Sequence, residues 1–221
     1  MTTFALIGAG PGLGLATARR FGTAGHTVAL ISRNTQNLDD LTAELADDGI
    51  QARGFAADVL DIESLDAALY AAGASLGPIE ILQYSPVPRA DFMEPVLDTG
   101  ADDLDDPLAF SVKGPVTAVN AVLPGMRELG RGTLLFINGS SAVRPNPNVA
   151  GTSIAFAAES AYARMLHDTL APENIHVAQL IVPGAIRPDA EHSSPHALAQ
   201  RLYDIHRERD GFRHYSEPLP D

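Results

Sequence analysis

The chain opens with Thr3-Phe-Ala-Leu-Ile-Gly8-Ala-Gly-Pro-Gly12-Leu-Gly14, an apolar run that ends in a glycine-rich turn. An alanine-rich helical pattern follows, and a second apolar run ends at Ser32-Arg33. This order is typical of a βαβ unit that binds a dinucleotide. Gly8 permits a sharp turn out of the strand, Gly12 lets backbone approach a pyrophosphate, and Gly14 lets the helix pack close to the sheet. The helix start also offers free N–H groups to phosphates.

The same alternation of apolar runs and helical patterns continues along the chain, without a linker or an internal repeat. Nearly continuous apolar strands, each followed by a helix, predict a parallel sheet covered on both faces. We therefore predict a single doubly wound α/β domain of the Rossmann type over residues 1–221, with residues 186–214 on the substrate side. The predicted strands are 3–8, 27–32, 52–57, 79–84, 133–138 and 175–182, and the predicted helices are 12–24, 37–48, 62–76, 107–129, 155–170 and 195–209.

Composition excludes several classes of function. The formal net charge of −13 repels nucleic acid and acidic membranes, so neither is expected as a partner. No apolar run reaches the roughly 18 residues that span a bilayer, and the N-terminus resembles a first strand more than a signal peptide. The 221 residues include no cysteine, which leaves no disulfide framework and no thiolate nucleophile. A cytoplasmic protein is the expectation.

No metal site is predicted. Pro195 separates His192 from His196 and makes one continuous helical face improbable, while His206 and His214 lie in a polar segment that we expect to be exposed. The acidic cluster at residues 102–106 precedes a helix, where acidic side chains favour the helix N-terminus.

The end of the second strand indicates which dinucleotide is bound. An acidic residue there would accept hydrogen bonds from a ribose 2′-hydroxyl, but this chain has Ser32 and Arg33, which suit a 2′-phosphate. NADP is therefore favoured over NAD, with a merely exposed surface arginine as the alternative. Asp58, after the third strand, either accepts from the adenine amino group or caps the following helix.

At this point the residues resemble the short-chain dehydrogenase/reductase family. The resemblance runs in order from Thr3 to about Ile186 and includes the spacing of Gly8, Gly12 and Gly14, the Asp58-Val59 pair and the serine-bearing strand that ends at Ser140-Ser141. It implies an NAD(P)-dependent oxidoreductase of this fold, and a homodimer or homotetramer with the helices at 107–129 and 155–170 across its two-fold axes. The cofactor positions that it implies are Gly8, Gly12, Leu13, Gly14, Ser32, Arg33, Asp58, Val59, Ser85, Pro183, Gly184 and Ile186.

The chain departs from the family at its catalytic residues. Family members use a tyrosine as proton donor, a lysine one helical turn later, a serine that orients the carbonyl and a supporting asparagine. Ser141 (or Ser140) fills the serine position, and Ser111 stands at the asparagine position. Aligned on Leu170-Ala171, the tyrosine becomes Phe156 and the lysine Ser160; counted forward from Ser141, the pair becomes Ile154 and Ala158. The only lysine, Lys113, has no tyrosine one turn before it, so the pair is absent from the chain.

Three other residues are candidates for the proton donor. Tyr84 ends the fourth strand, where ligands bind in open α/β sheets, and is the most plausible substitute; otherwise it lines the pocket. Tyr162 should face away from the cleft and pack against the sheet or a partner helix. Glu159 could reach the cleft, but an exposed helical glutamate is the favoured interpretation.

Two functions follow from these residues. The first is NADPH-dependent reduction of a small carbonyl, or oxidation of an alcohol, with Ser141 polarising the carbonyl and Tyr84 or water supplying the proton. The alternative is a catalytically silent NADP-binding sensor or partner subunit, because the cofactor half is intact and the catalytic half is altered. The short polar segment 187–195 predicts a small or open substrate pocket.

Overall fold

A computed structural model describes residues 2–219. Within these residues, seven strands form one parallel sheet in the order β3-β2-β1-β4-β5-β6-β7. The order reverses between β1 and β4, and a crevice opens at such a point in doubly wound folds. The strands are β1 (Thr3–Ile7), β2 (Thr27–Ser32), β3 (Ala52–Ala56), β4 (Ile79–Tyr84), β5 (Gly132–Gly139), β6 (Ile175–Val182) and β7 (Arg213–Tyr215).

Helices cover both faces of the sheet, which confirms the predicted fold class. Large apolar side chains of the central strands alternate between the two faces, so each face has its own core: Ile7 and Phe136 lie on one side, Phe4 and Leu30 on the other. Among residues 2–219, none of the helices is long and apolar enough to cross a membrane. The helices are α1 (Leu13–Thr23), α2 (Thr35–Asp47), α3 (Ile62–Leu76), α4 (Asp105–Leu108), α5 (Gly114–Leu129), α6 (Ala150–Leu170) and α7 (Pro195–Glu208).

The predicted helix 107–129 is interrupted. A single π-helical turn, Ala109–Lys113, joins α4 to α5, and the Gly114 N–H bonds the Ala109 carbonyl five residues back. The cause is Pro115, which has no N–H to offer the carbonyl of Ser111. The wider turn contains Ser111, and such turns are frequent at functional sites.

The strand β7 was not predicted, because Arg213–Tyr215 is short and has no apolar run. It extends the sheet beside β6, with Gln179 in register with Arg213. Of the two histidines that were expected to be exposed, His206 lies in α7 and His214 lies in β7 at the sheet edge, and both are partly buried.

The turn after β1 fixes the shape of the crevice. Gly8 adopts a φ of +91°, and a Cβ atom there would lie 2.6 Å from the Cα and N atoms of Pro86. From the other side, the Asn37 side chain donates to the Ala9 carbonyl at 3.0 Å. The chain can therefore turn at Gly8 only because no side chain stands between β1 and the segment after β4.

We expect Gly8→Ala to lower the free energy of unfolding by at least about 2 kcal/mol, from the strained φ and the overlap with Pro86. The matched control is Gly10→Ala in the same turn, where a Cβ meets no atom within 4 Å. Urea denaturation followed by circular dichroism measures both. Equal stability of the two variants would contradict this account of the turn.

Candidate functional site

A cleft of about 950 Å³ lies at the carboxyl ends of the strands. One wall is the turn between β1 and α1, and the opposite wall is formed by the end of β5, the first turns of α6 and the segment after β6. The position is the expected one for a ligand in an open α/β sheet. Predicted residues that line it are Gly8, Gly12, Leu13, Gly14, Ser85, Ser141, Phe156, Gly184 and Ile186. Pro183 is buried and does not line the cleft.

The glycine turn suits a pyrophosphate. Gly12 is the residue before α1, it has no side chain to cap the helix, and a Cβ there would meet no atom within 4 Å. The first turn of α1 contains no acidic residue to repel an anion. The Leu15 N–H donates to the Gly10 carbonyl, whereas the N–H groups of Leu13 and Gly14 have no backbone partner in the described part of the chain and lie at the positive end of the helix dipole. At Gly14 a Cβ would lie 3.3 Å from the Ala9 Cα, which shows how closely the helix packs on the turn.

A second cavity of about 210 Å³ meets the cleft at Gly8, Gly10 and Pro86 and extends to the end of β2. Ser32, Arg33, Asp58 and Val59 line it, as predicted for cofactor positions. The buried Ser32 Oγ has no partner among the described residues, and the Arg33 side chain is 62% exposed. The Ser32 hydroxyl and the Arg33 guanidinium therefore line one cavity, and together they suit the phosphate group of a ribose phosphate.

The surroundings of Asp58 decide between its two predicted roles. Its Oδ1 accepts from the Leu60 N–H at 3.0 Å, while α3 is capped by Asp61, whose Oδ1 accepts from the Ser64 N–H. Asp58 is therefore not the cap of the helix. Its Oδ2 lies 3.8 Å from Arg33 Nη1, so the carboxylate faces the cavity.

In the catalytic half, the structure distinguishes the two predicted registers of α6. Phe156 lines the cleft opposite the glycine turn, whereas Ile154 is 43% exposed and does not line it. Of the two positions predicted for the tyrosine, Phe156 is therefore the one that lies in the cleft. Ser160, one turn later, points to the sheet, where its Oγ donates to Gln179 Oε1 at 2.9 Å and accepts from Arg213 Nη2 at 2.7 Å.

The prediction for Tyr84 was wrong. Its side chain is 1% exposed, packs in the core and does not line the cleft. The hydroxyl donates to the Phe110 carbonyl, and burial together with the nearby carboxyls of Glu159 and Asp58 raises its pKa well above the usual value. The error has a simple cause, because side chains alternate along a strand and Tyr84 faces the core instead of the cleft.

The expectation for Glu159 was also wrong: it is 1% exposed, not a surface residue. Burial raises its pKa to about 8, partly offset by Asn138 and Ser111, which lower it. Both side chains are close to the carboxyl group, but no hydrogen bond is formed within residues 2–219 by Glu159 Oε1, Asn138 Nδ2 or Ser111 Oγ. Tyr162 is half-buried against the core, as predicted.

The sequence analysis missed Asn138, Gln179 and Arg213. Asn138 lines the cleft and accepts from Gln179 Nε2 at 2.8 Å, and Arg213 Nε donates to Gln179 Oε1 at 3.0 Å. The sequence did mark Asn138 and Gln179, because each is a polar residue inside an otherwise apolar strand. A buried polar side chain in such a strand needs a hydrogen-bond partner. Nothing in the sequence marked Arg213.

Comparison with known proteins places this geometry in a family. The sequence profile described as short chain dehydrogenase matches residues 2–199. The human protein "Dehydrogenase/reductase SDR family member 4" is 30% identical over 176 residues, which are 80% of this chain and 63% of that protein. The chain thus spans less than two thirds of the length of this relative.

Solved structures share the fold at lower identity. A metagenomic short-chain oxidoreductase in complex with NADP superposes with a TM-score of 0.84 at 19% identity. The match covers 100% of this chain and 97% of that protein's chain. An NADPH-bound short chain oxidoreductase from Pseudomonas aeruginosa PAO1, described as containing an atypical catalytic center, has a TM-score of 0.77 at 22% identity. The match covers 93% of this chain and 76% of that protein's chain.

Tyr84→Phe tests the structural role of the buried hydroxyl. We expect a loss of about 1–3 kcal/mol in the free energy of unfolding, because the Phe110 carbonyl loses its donor. The matched control is Tyr162→Phe, whose hydroxyl has no hydrogen bond in the described part of the chain and whose stability should change by less than about 0.5 kcal/mol. Thermal and urea unfolding report both; a fully stable Tyr84→Phe would argue against this role.

Proposed function

The chain belongs to the short chain dehydrogenase family, and we propose that it is an oxidoreductase that uses NADP to interconvert a small carbonyl compound and its alcohol. The observation that supports this most is the continuity of the two cavities from Arg33, past the glycine turn, to Phe156 and Ser141. An adenosine 2′-phosphate fits one end, a pyrophosphate fits the open N-terminus of α1, and a nicotinamide fits the other end.

The residues of each part have separate tasks. Arg33 and the Ser32 hydroxyl hold the 2′-phosphate, and the first N–H groups of α1 hold the pyrophosphate. Asp58 accepts from the adenine, and the segment Gly184–Ile186 covers the nicotinamide side. When bound, NADPH supplies a hydride. Several of the related solved structures contain NADP or NADPH, which favours the same cofactor here.

The chemistry at the carbonyl depends on Ser141. Its hydroxyl lies at the end of β5 on the cleft wall, where it donates a hydrogen bond to a carbonyl oxygen and so favours attack at the carbon. Phe156 has no proton to give, and Tyr84 is buried, so water is the immediate proton donor. A positioned acid typically contributes about 10²–10⁴-fold, and we expect turnover to be slower by a factor of this order.

A second function is a redox-cofactor sensor that binds NADP without turnover. The observation that favours it is that Phe156 and Ser160 remove the proton donor and the lysine charge while the cofactor half is kept. Both functions require nucleotide binding, and they differ in whether a carbonyl is reduced.

Arg33→Gln tests the choice of cofactor. Loss of a charge-assisted contact should weaken NADPH binding about tenfold or more and leave NADH binding unchanged. Arg53→Gln on β3 is the control, since Arg53 is an exposed arginine outside both cavities. Nicotinamide fluorescence titration measures all variants. Tighter binding of NADH than NADPH by the unaltered protein would refute the assignment of Arg33.

Ser141→Ala tests turnover. NADPH consumption is followed by absorbance with a panel of small aldehydes and ketones, and the variant should lose about 10²-fold in kcat/KM on any carbonyl that is reduced, because an oxyanion donor is gone. Ser140→Ala, one residue earlier on the same wall, tests the alternative serine, and a larger loss there than in Ser141→Ala would assign the role to Ser140. Tight NADPH binding without reduction of any carbonyl would instead favour the sensor.

A further inference from the structure

Glu159 lies beneath the wall of the cleft, among polar atoms from three other elements. The π-helical turn presents Ser111 to it, β5 presents Asn138, and β4 presents Tyr84. Each of these side chains is buried, and Glu159 itself does not line the cleft. Asn138 is the member of the group that does line it, and it is also one of the two side chains that lower the pKa of Glu159.

Three polar atoms of this group have no protein partner within residues 2–219: Glu159 Oε1, Ser111 Oγ and Asn138 Nδ2. Buried polar atoms in proteins are almost always paired, and water is the usual partner where side chains leave a gap. Two donors and a carboxyl oxygen are a suitable set of partners for a bound water.

A chain of directed hydrogen bonds fixes Asn138 in its orientation. Arg213 Nη2 donates to Ser160 Oγ, Ser160 Oγ donates to Gln179 Oε1, and Gln179 Nε2 donates to Asn138 Oδ1. Because the Asn138 carbonyl is occupied by Gln179, its amide N–H group is left for Glu159. The three donors all point the same way, from the guanidinium to the Asn138 carbonyl. Asn138 in turn lowers the pKa of Glu159 and so favours its charged form.

Burial acts against this charge and raises the pKa of Glu159 to about 8, while Asn138 and Ser111 lower it. Below that pH the group holds a proton, and above it the group is a carboxylate. The neighbouring hydroxyl of Tyr84 stays neutral, because its pKa is raised well above the usual value. Asp58, which acts on Tyr84 from the end of β3, is the other carboxyl near this group.

We propose that Glu159 gains and loses a proton in step with the charge on the nicotinamide ring at the Phe156 end of the cleft, and so replaces the missing tyrosine as the store of the reaction's proton. The proposal rests on the proposed function, because it needs a nicotinamide in the cleft. Glu159 is a positioning residue in this scheme, since it acts through Asn138 and water.

The proton count balances. In reduction, the carbonyl carbon takes a hydride and its oxygen takes a proton from water, which recovers one from Glu159. The products are an alcohol, the positively charged ring and the Glu159 carboxylate, so the two new charges attract each other across the cleft wall. Solvent returns the proton to Glu159 when the oxidised nucleotide leaves. Oxidation of an alcohol runs through the same positions in reverse.

The test needs no substrate. The affinities of NADP⁺ and NADPH are measured by calorimetry from pH 6 to pH 9.5, and their ratio is taken so that titration of the shared phosphates cancels. If the ring charge lowers the pKa of Glu159 by about one unit, the preference for NADP⁺ rises about tenfold as the pH increases through 8. Calorimetry in buffers of different ionisation enthalpy should also detect proton release on binding of NADP⁺ and not of NADPH.

Glu159→Gln, close in size, should abolish both signals, and Glu159→Asp should restore part of them. Asp168→Asn is the matched control: it changes the same charge on the same helix, in an exposed ion pair with Arg164, and should keep both. Carbon NMR of the glutamate carboxyls in the unaltered protein gives the same titration without any variant.

The outcomes separate the two proposals. A ratio that is independent of pH, or one that responds to pH equally in Glu159→Gln, overturns the role of Glu159 and leaves the proposed function intact. If neither nucleotide binds at any pH, the proposed function fails and the role of Glu159 fails with it.

Discussion

The structure depends on the close approach of the Gly8 backbone to Pro86. Here β1 and β4 are neighbours in the sheet, at the point where the strand order reverses. No side chain fits between the turn after β1 and the segment after β4. The approach orients α1 so that its N-terminus faces the cleft, and Asn37 holds the turn from the other side through the Ala9 carbonyl. The second cavity, which contains Arg33, and the cleft, which contains Phe156, are therefore in fixed positions relative to the same turn.

The sequence predicted this part well because the constraint is local. Glycine spacing, an apolar run and a helical pattern within a few dozen residues contain most of the information, and the strand bounds of β2, β4 and β6 agree with the prediction. The catalytic half could not be predicted in the same way. Whether Tyr84 faces the cleft or the core depends on strand register, and whether Glu159 is exposed depends on which face of α6 meets the π-helical turn at Ser111.

The altered half of the site is not simply a site with residues removed. Ser160, which we align with the family's lysine, accepts a hydrogen bond from the guanidinium of Arg213 and donates one to Gln179. Phe156, which we align with the family's tyrosine, is apolar, and the ionisable group lies one turn further along α6 at Glu159. Polar groups in such surroundings are stable only as a connected network, because an isolated one would lose its hydration without replacement.

The position of Arg213 makes the polar chain depend on the last strand of the sheet. The family profile ends at residue 199, and β7 follows it in the chain. The residues that line both cavities all precede β7, whereas the guanidinium at the head of the polar chain belongs to that strand. A change that detaches β7 from β6 would therefore leave every residue of the nucleotide half in place and still alter the electrostatic environment of Asn138 and Glu159.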